Sequence, residues 1–273
     1  MHHEKSSLLA VSELVDYEAQ PFKVLDDESM DQLVESIKQV GVLVPIIVRQ
    51  LSNGLYEIIS GHRRKRACEI AGIKKIPAVI KELNDDEAAI LLVDSNLQRE
   101  NLLPSEKAYA YKLKLDAIKH QGKKNEQDSA ICESTDIIGV DSDKSGRQIR
   151  RYIRLTELII PLLDKVDLKI IPVVAGAEVS FLNVKLQVTL NEQMDFMECK
   201  LNTRQAKKLK QFYLDSNLDE DKIEEVLLNQ EKCKMLRINY YKLKKYFPQS
   251  YTAKQCEKAL WEILDEWYNQ HCA

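Results

Sequence analysis

The change of pattern at Pro104 is the feature that most constrains how this chain can fold. Before Pro104, short apolar runs of strand length alternate with amphipathic helical stretches; after it, strand signals nearly vanish. Proline is tolerated in the first turn of a helix, so Pro104-Ser105-Glu106 favours the start of a long helix that ends near Gln121. We therefore expect an α+β domain followed by an all-α region.

The α+β part is predicted from turn and capping signals between apolar segments. Gly41 is placed to end a helix, and Asn53-Gly54 is typical of a hairpin turn between two strands. Acidic residues 85–87 favour the first turn of a further helix. The predicted elements are a helix around residues 30–40, strands at 45–49 and 56–60, a helix at 61–71 and a strand at 76–80.

The helical part is divided by composition. A polar stretch at residues 121–128 predicts an exposed loop, and a separate amphipathic helix is expected at about 253–269. The predicted boundaries are an N-terminal arm at 1–18, the α+β domain at 19–103, a helix-turn-helix domain at 104–190, a helical extension at 191–232 and a C-terminal segment at 233–273.

Composition narrows the class of protein. The 273 residues carry a net charge of −3, and no apolar run approaches the roughly 20 residues that cross a bilayer. The first residues have no apolar core of a secretory signal, and the six cysteines form no CxxC pair. We expect a cytoplasmic protein with reduced thiols and no membrane partner.

The densest chemical signal is Ser60-Gly61-His62-Arg63-Arg64-Lys65-Arg66, which lies between a predicted strand and a predicted helix. A glycine there lets a ligand approach the backbone, and the helix N-terminus offers free amide donors. The planar guanidinium groups of its arginines suit bidentate anion binding. The segment predicts a phosphate site; the alternative is an ordinary solvated basic helix face.

Four ordered motifs resemble those of the ParB family of partition proteins, over about residues 18–185. They are Gln20-Pro21, the segment Gly41-Val-Leu-Val-Pro45-Ile46, the box Gly61-His-Arg-Arg-Lys-Arg-Ala67 and the segment Ser95-Asn-Leu-Gln-Arg99. The resemblance implies a plasmid or mobile-element protein with a CTP pocket and Mg²⁺, in which Asn96 is the metal ligand. The candidate nucleotide-binding residues are Gln20, Gly61, His62, Arg63, Arg64, Arg66, Ser95, Asn96, Arg99 and Glu100.

Two positions depart from the family pattern. His62 stands where the family usually has glutamate, and Ser95 stands where it usually has a metal-binding glutamate. Mg²⁺ favours carboxylate and phosphate oxygens, so a serine is a poor replacement. We expect nucleotide binding as a switch, with at most weak CTP hydrolysis and no assigned catalytic residue. A lone histidine at a helix start can equally be a surface or capping residue.

A second basic segment predicts DNA binding. Residues 134–139 read as a short helix, and after a polar turn residues 145–155 form a second helix with an apolar stripe and several arginines. The family resemblance makes the second helix the DNA-reading helix; the alternative is an amphipathic helix with a basic outer face. The candidate DNA-binding residues are Lys144, Ser145, Arg147, Gln148, Arg150, Arg151 and Arg154.

The expected partners follow from these domains. Double-stranded DNA is one, and Trp261, Leu264 and Trp267 predict either packing on their own domain or a homodimer. Residues 1–19 contain Lys5 and no arginine, so the basic peptide that would activate a ParA-type ATPase is not supported. The preferred function is partition of a plasmid or chromosome with CTP as a clamp switch. The alternatives are a ParB-like transcriptional regulator or nucleoid-occlusion factor and a nuclease or phosphotransferase, which Ser95 argues against.

Overall fold

The computed structural model describes residues 5–99, 102–121, 135, 138, 145–228, 246–248 and 252–271. The chain forms two compact units, residues 1–228 and 229–273. Glu100, Lys144 and most of the predicted helix at 134–139 lie outside the described residues, although Thr135 and Ile138 are both helical.

A five-stranded mixed sheet forms the centre of the N-terminal part, in the order β1-β5-β3-β4-β2. The strands β3 and β4 form an antiparallel hairpin, and β3 pairs with β5 in parallel. At the edges, β1 is antiparallel to β5 and β2 is parallel to β4. The strands are β1 (Lys5–Ala10), β2 (Leu14–Asp16), β3 (Ile46–Gln50), β4 (Tyr56–Ser60) and β5 (Lys75–Ile80).

Helices cover both faces of the sheet, because successive strand residues point to opposite sides. Ile58 belongs to the core shared with α1 (Glu28–Val40) and α2 (His62–Ile70). Its neighbour Ile59 packs in the core shared with α3 (Asp85–Leu97). Asp27 and Asn84 cap α1 and α3, and α1 ends at Gly41 with φ 75°, as the sequence predicts.

Strands β1 and β2 lie in residues that we expected to form an arm. Leu9 and Leu14 are buried in the sheet core, while Leu8 remains 60% exposed. The apolar residues 8–11 are consecutive and do not alternate with polar ones, so they give no clear strand signal, and the conformation of the segment depends on pairing with distant strands. Leu9, for example, pairs with Ile76. The predicted domain boundaries otherwise remain predictions.

The helical part of the first unit surrounds its own apolar core, in which Leu155, Leu162 and Leu190 are fully buried. Its helices are α4 (Pro104–Gln121), α5 (Gly146–Arg154), α6 (Ile160–Asp167), α7 (Val173–Val179), α8 (Val184–Phe196), α9 (Thr203–Leu214) and α10 (Glu220–Leu228). The expected α+β region followed by helices is confirmed.

Two carboxylates fix the start of α4. Glu106 accepts hydrogen bonds from the backbone N–H groups of Lys23 (2.8 Å) and Leu103 (2.9 Å). Asp167, at the end of α6, accepts from the backbone N–H of Ser105 (2.8 Å) and from its hydroxyl. The helix that follows the sheet domain is therefore tied at one end to both parts of the unit.

The second unit contains α11 (Ala253–His271), close to the predicted helix. Trp261 and Trp267 are 60% and 54% exposed on it. The proposed homodimer through this segment remains a prediction. Among the described residues, no helix has the length and apolar character of a membrane span.

Candidate functional site

A cavity of about 440 Å³ lies at the N-terminus of α2. It brings together three segments that are far apart in the sequence: the chain before α1, the β4–α2 junction and the end of α3. Eight of the ten residues predicted from sequence line it, namely Gln20, Gly61, His62, Arg63, Arg64, Ser95, Asn96 and Arg99.

Gly61 makes the turn from β4 into α2 with φ 111°, a left-handed conformation that side chains other than glycine rarely adopt. A Cβ at this position would lie 2.5 Å from Cγ2 of Ile46. The residue therefore has both a conformational and a steric reason to be glycine. The first backbone N–H groups of α2, which follow it, have no partner within the helix and suit an anion.

Arg64 lines the cavity but is also held by the protein. Its Nη1 donates hydrogen bonds to the carbonyl oxygens of Val44 (2.5 Å) and Pro45 (2.6 Å). Burial lowers the pKa of this guanidinium from its ordinary value. Arg64 thus connects α2 to the segment before β3 while adding positive charge to the cavity wall.

Arg63 and Arg99 are the other cationic groups of the cavity. Arg63 donates to the hydroxyl of Ser29 at 2.5 Å and lies 3.7 Å from Asp27. Arg99 donates to Oδ1 of Asn96 at 3.4 Å. Both arginines also line a neighbouring cavity of about 350 Å³, so they lie between two concave surfaces.

His62 is 7% exposed, and it also lines the cavity. Burial lowers its pKa to about 4; Asp16 raises it and Lys65 lowers it by smaller amounts. The imidazole is therefore neutral at neutral pH. The expectation that a lone histidine at a helix start is a surface residue does not describe this side chain.

Arg66, the ninth predicted residue, does not line this cavity. It faces away and binds Asp26, with Nη2 2.6 Å from Oδ2, and Glu69 at 3.4 Å. These hydrogen bonds and charges raise its pKa. The tenth predicted residue, Glu100, lies outside the described residues.

The cavity fits Mg²⁺ poorly. No carboxylate is found among the described residues that line it. The hydroxyl of Ser95 and Nδ2 of Asn96 both donate to the carbonyl oxygen of Leu92, which leaves the neutral Oδ1 of Asn96, in a 3.4 Å contact with Arg99, as the oxygen that would bind a metal ion. A metal ion would need most of its other ligands from a bound phosphate and water.

Sequence reasoning missed the apolar wall of the cavity, which is made by Phe22, Val24, Leu33 and Val44. Leu33 lies within the predicted helix at residues 30–40, and the other three residues carry no charge that would mark a binding site. The available clue was position, because Phe22 directly follows the Gln20-Pro21 motif and Val44 precedes Pro45. An apolar wall facing arginines suits a ligand with an aromatic ring and an anionic group.

The second predicted site lies on α5. Ser145 caps this helix by accepting from the backbone N–H of Gln148, and Ile149 is fully buried against Tyr111 and Leu115 of α4. Arg147 and Gln148 are exposed beside the helix N-terminus, and Arg151 is half-buried. The helix is thus anchored by its apolar side and presents its first turn outward.

Two arginines of α5 are engaged within the protein. Arg150 donates to the hydroxyl of Thr135 at 2.8 Å. Arg154 donates from Nε to Oγ of Ser180 (3.1 Å) and from Nη2 to the carbonyl oxygen of the same residue (2.8 Å). The guanidinium of Arg154 also lies 4.0 Å from the ring centroid of Phe181. These contacts distinguish Arg154 from the exposed Arg147.

The fold and the cavity together define an α+β domain with an arginine-lined cavity, joined to a helical region. Residues 1–97 match the family model described as the ParB N-terminal domain. These residues are therefore similar to the ParB N-terminal domain family, and the resemblance seen in the four motifs is confirmed.

Two curated proteins show the same relationship. The nucleoid occlusion protein of Geobacillus kaustophilus is 44% identical over 103 residues, which cover 38% of this chain and 37% of that protein. The probable chromosome-partitioning protein ParB of Neisseria meningitidis serogroup A is 35% identical over 156 residues, 53% of this chain and 54% of that protein. The chain thus spans about half or less of the curated relatives it matches.

Among solved structures, the chain is similar to the C-terminally truncated chromosome-partitioning protein ParB from Caulobacter crescentus, complexed to the centromeric parS site. The two are 22% identical, with a TM-score of 0.46, and the match covers 75% of this chain and 98% of that one.

Proposed function

We propose that this protein binds specific DNA sites for partition of a plasmid or chromosome. CTP, bound in the cavity at α2, acts as its clamp switch. The observation that carries the proposal is the convergence of eight motif residues from three separated segments on one cavity. If residues 60–66 were only a solvated basic helix face, there would be no reason for residues of three segments to line one cavity with them.

The cavity has the chemistry that a nucleoside triphosphate requires. The N-terminus of α2 with Arg63, Arg64 and Arg99 supplies donors and positive charge for the phosphates. Phe22 and Val44 offer apolar surface for a base or ribose. Among the described lining residues no carboxylate is present to hold a metal ion, which favours a binding switch over efficient hydrolysis.

DNA recognition is assigned to the first turn of α5. Ser145, Arg147 and Gln148 are exposed there and carry the donors and acceptors that read base edges in a major groove. Arg151 is a candidate phosphate contact, and Lys144, which directly precedes Ser145 in the sequence, is another. A homodimer would place two such helices on a palindromic site.

Nucleoid occlusion is the second candidate function, because proteins of that name from several Geobacillus strains are 43–44% identical to this chain over 38–40% of its length. The arrangement of DNA sites distinguishes the two functions.

Genome-wide footprinting of the protein in its host tests the proposal. We expect a few strong sites close to one partition locus, which are lost with Arg147→Ala. Sites dispersed around the chromosome would favour nucleoid occlusion, many promoter sites would favour a regulator, and the absence of specific sites would reject a DNA-binding function.

A further inference from the structure

Two buried polar atoms of the cavity lack partners. Among the residues that the structure describes, Nε2 of His62 and Oε1 of Gln20 have no hydrogen-bond partner although both atoms are shielded from solvent. His62 and Gln20 come from different segments, yet both line the same cavity. Buried polar atoms are nearly always paired with protein, water or ligand, so two unpaired polar atoms on residues of one cavity indicate a bound ligand.

The orientation of the Gln20 amide shows that its unpaired atom is a hydrogen-bond acceptor. Nε2 of Gln20 donates to the carbonyl oxygen of Phe22 at 3.0 Å. Because a carbonyl only accepts hydrogen bonds, this contact sets the orientation of the side chain. Oε1, an acceptor, is the atom left without a partner.

The unpaired atom of His62, Nε2, is also a hydrogen-bond acceptor. The ring makes a backbone hydrogen bond at Ile58, and this contact favours the protonated form, as donation to a carbonyl oxygen does. A neutral imidazole has one N–H, which is then on Nδ1, the nitrogen that makes this bond. Nε2 is left as a bare acceptor.

We propose that Nε2 of His62 and Oε1 of Gln20 form an acceptor pair that binds hydroxyl or amino donors on the nucleoside part of the ligand. This inference rests on the proposed nucleotide-binding function and deepens it. It gives His62 an acceptor role that the imidazole fills as a neutral group, without the negative charge that a glutamate at this position would place close to the arginines. The phosphates, which have no donors when ionised, would be held by the arginines and the N-terminus of α2 instead.

Isothermal titration with two probes separates these contributions. CTP carries donors on its base and ribose, whereas inorganic tripolyphosphate carries only the anionic group. In His62→Phe, the dissociation constant of CTP should rise roughly tenfold, the value of one lost hydrogen bond, while that of tripolyphosphate stays unchanged. His62→Gln, which keeps an acceptor, should recover most of the CTP affinity. The matched control is His120→Phe, a change at an exposed histidine outside the cavity.

A second measurement uses the wild-type chain and does not depend on the folding of a variant. With isotope-labelled histidine, the nitrogen resonance of Nε2 of His62 should move upfield when CTP is added, as an acceptor nitrogen does on gaining a hydrogen bond, and should not move with tripolyphosphate. The proposed acceptor pair would be overturned if His62→Phe raised the dissociation constants of both probes equally. It would also be overturned if the Nε2 resonance did not move when CTP is added. If neither probe binds the wild-type protein, the nucleotide-binding function itself is rejected.

Discussion

Nη1 of Arg64 lies 2.5 Å from the carbonyl oxygen of Val44, so one guanidinium joins the start of α2 to the segment that leads into β3. The arginine predicted as a phosphate ligand is therefore also a positioning residue for the cavity wall, since Val44 lines the same cavity.

Arg64→Ala should affect both folding and binding. It removes hydrogen bonds to the carbonyl groups of the exposed Val44 and the half-buried Pro45, which should lower the free energy of unfolding by about 1–3 kcal/mol, and CTP affinity should fall as well. Denaturant unfolding and calorimetric titration measure the two effects. Lys38→Ala, which removes only an exposed pair with Glu35, is the control and should change neither. Unchanged stability in Arg64→Ala would contradict the positioning role.

Gly61→Ala should be much more harmful than the same change at Gly54. Both glycines have positive φ, 111° and 83°, but only the Cβ at position 61 would meet Ile46. The conformational cost at Gly54 is about 1 kcal/mol, and Gly61→Ala should exceed it and also disturb the N-terminus of α2. Thermal or denaturant unfolding of the two variants compares them directly; equal losses would show that the contact with Ile46 relaxes easily.

The stability of the protein should fall between pH 6.5 and 4 because of His62. Its folded-state pKa of about 4 lies below the unfolded value of 6.5, so the unfolded chain binds the proton first. The stabilisation is fully present above pH 6.5 and is lost as the pH falls through 4, with a magnitude of about 3 kcal/mol. In denaturant unfolding across this pH range, the free energy of unfolding should depend less steeply on pH for His62→Gln than for wild type. Parallel curves would mean that the imidazole is solvated.

Arg147 and Arg154 lie on the same helix, but replacing Arg147 should affect DNA binding and replacing Arg154 should affect stability. Arg147→Ala should weaken specific DNA binding by about 1–3 kcal/mol if its guanidinium reads a guanine, with no loss of stability. Arg154→Ala removes the hydrogen bonds to Ser180 and the contact with Phe181, so it should lower stability. Fluorescence anisotropy with a DNA site identified by footprinting measures the first effect, and thermal unfolding measures the second. Unchanged DNA affinity in Arg147→Ala would remove that assignment.

The elements that sequence predicted well are those with local signals. Gly41, the acidic residues 85–87 and Pro104 mark helix ends through backbone conformation and the helix dipole, which depend on a few neighbouring residues. Strands β1 and β2 were missed because they depend on pairing with strands about 40 to 75 residues away.

The candidate site shows the same division. The motif at Gly61 and the segment Ser95–Arg99 could be identified from residue type and order, and they do meet in one cavity. The partners of Arg66 and Arg154 could not, since Asp26 and Ser180 are distant in sequence and give no motif. Residue type predicts what a side chain can bind; only the fold decides which partner it reaches.

Calorimetric titration of the wild-type protein with CTP, CDP and ATP tests the central claim most directly. The account predicts saturable binding of CTP, weaker binding of CDP because it has one phosphate fewer for Arg63 and Arg99, and ATP binding weaker than that of CTP by roughly tenfold or more. Equal affinities for CTP and ATP, or no binding of any of the three, would contradict it.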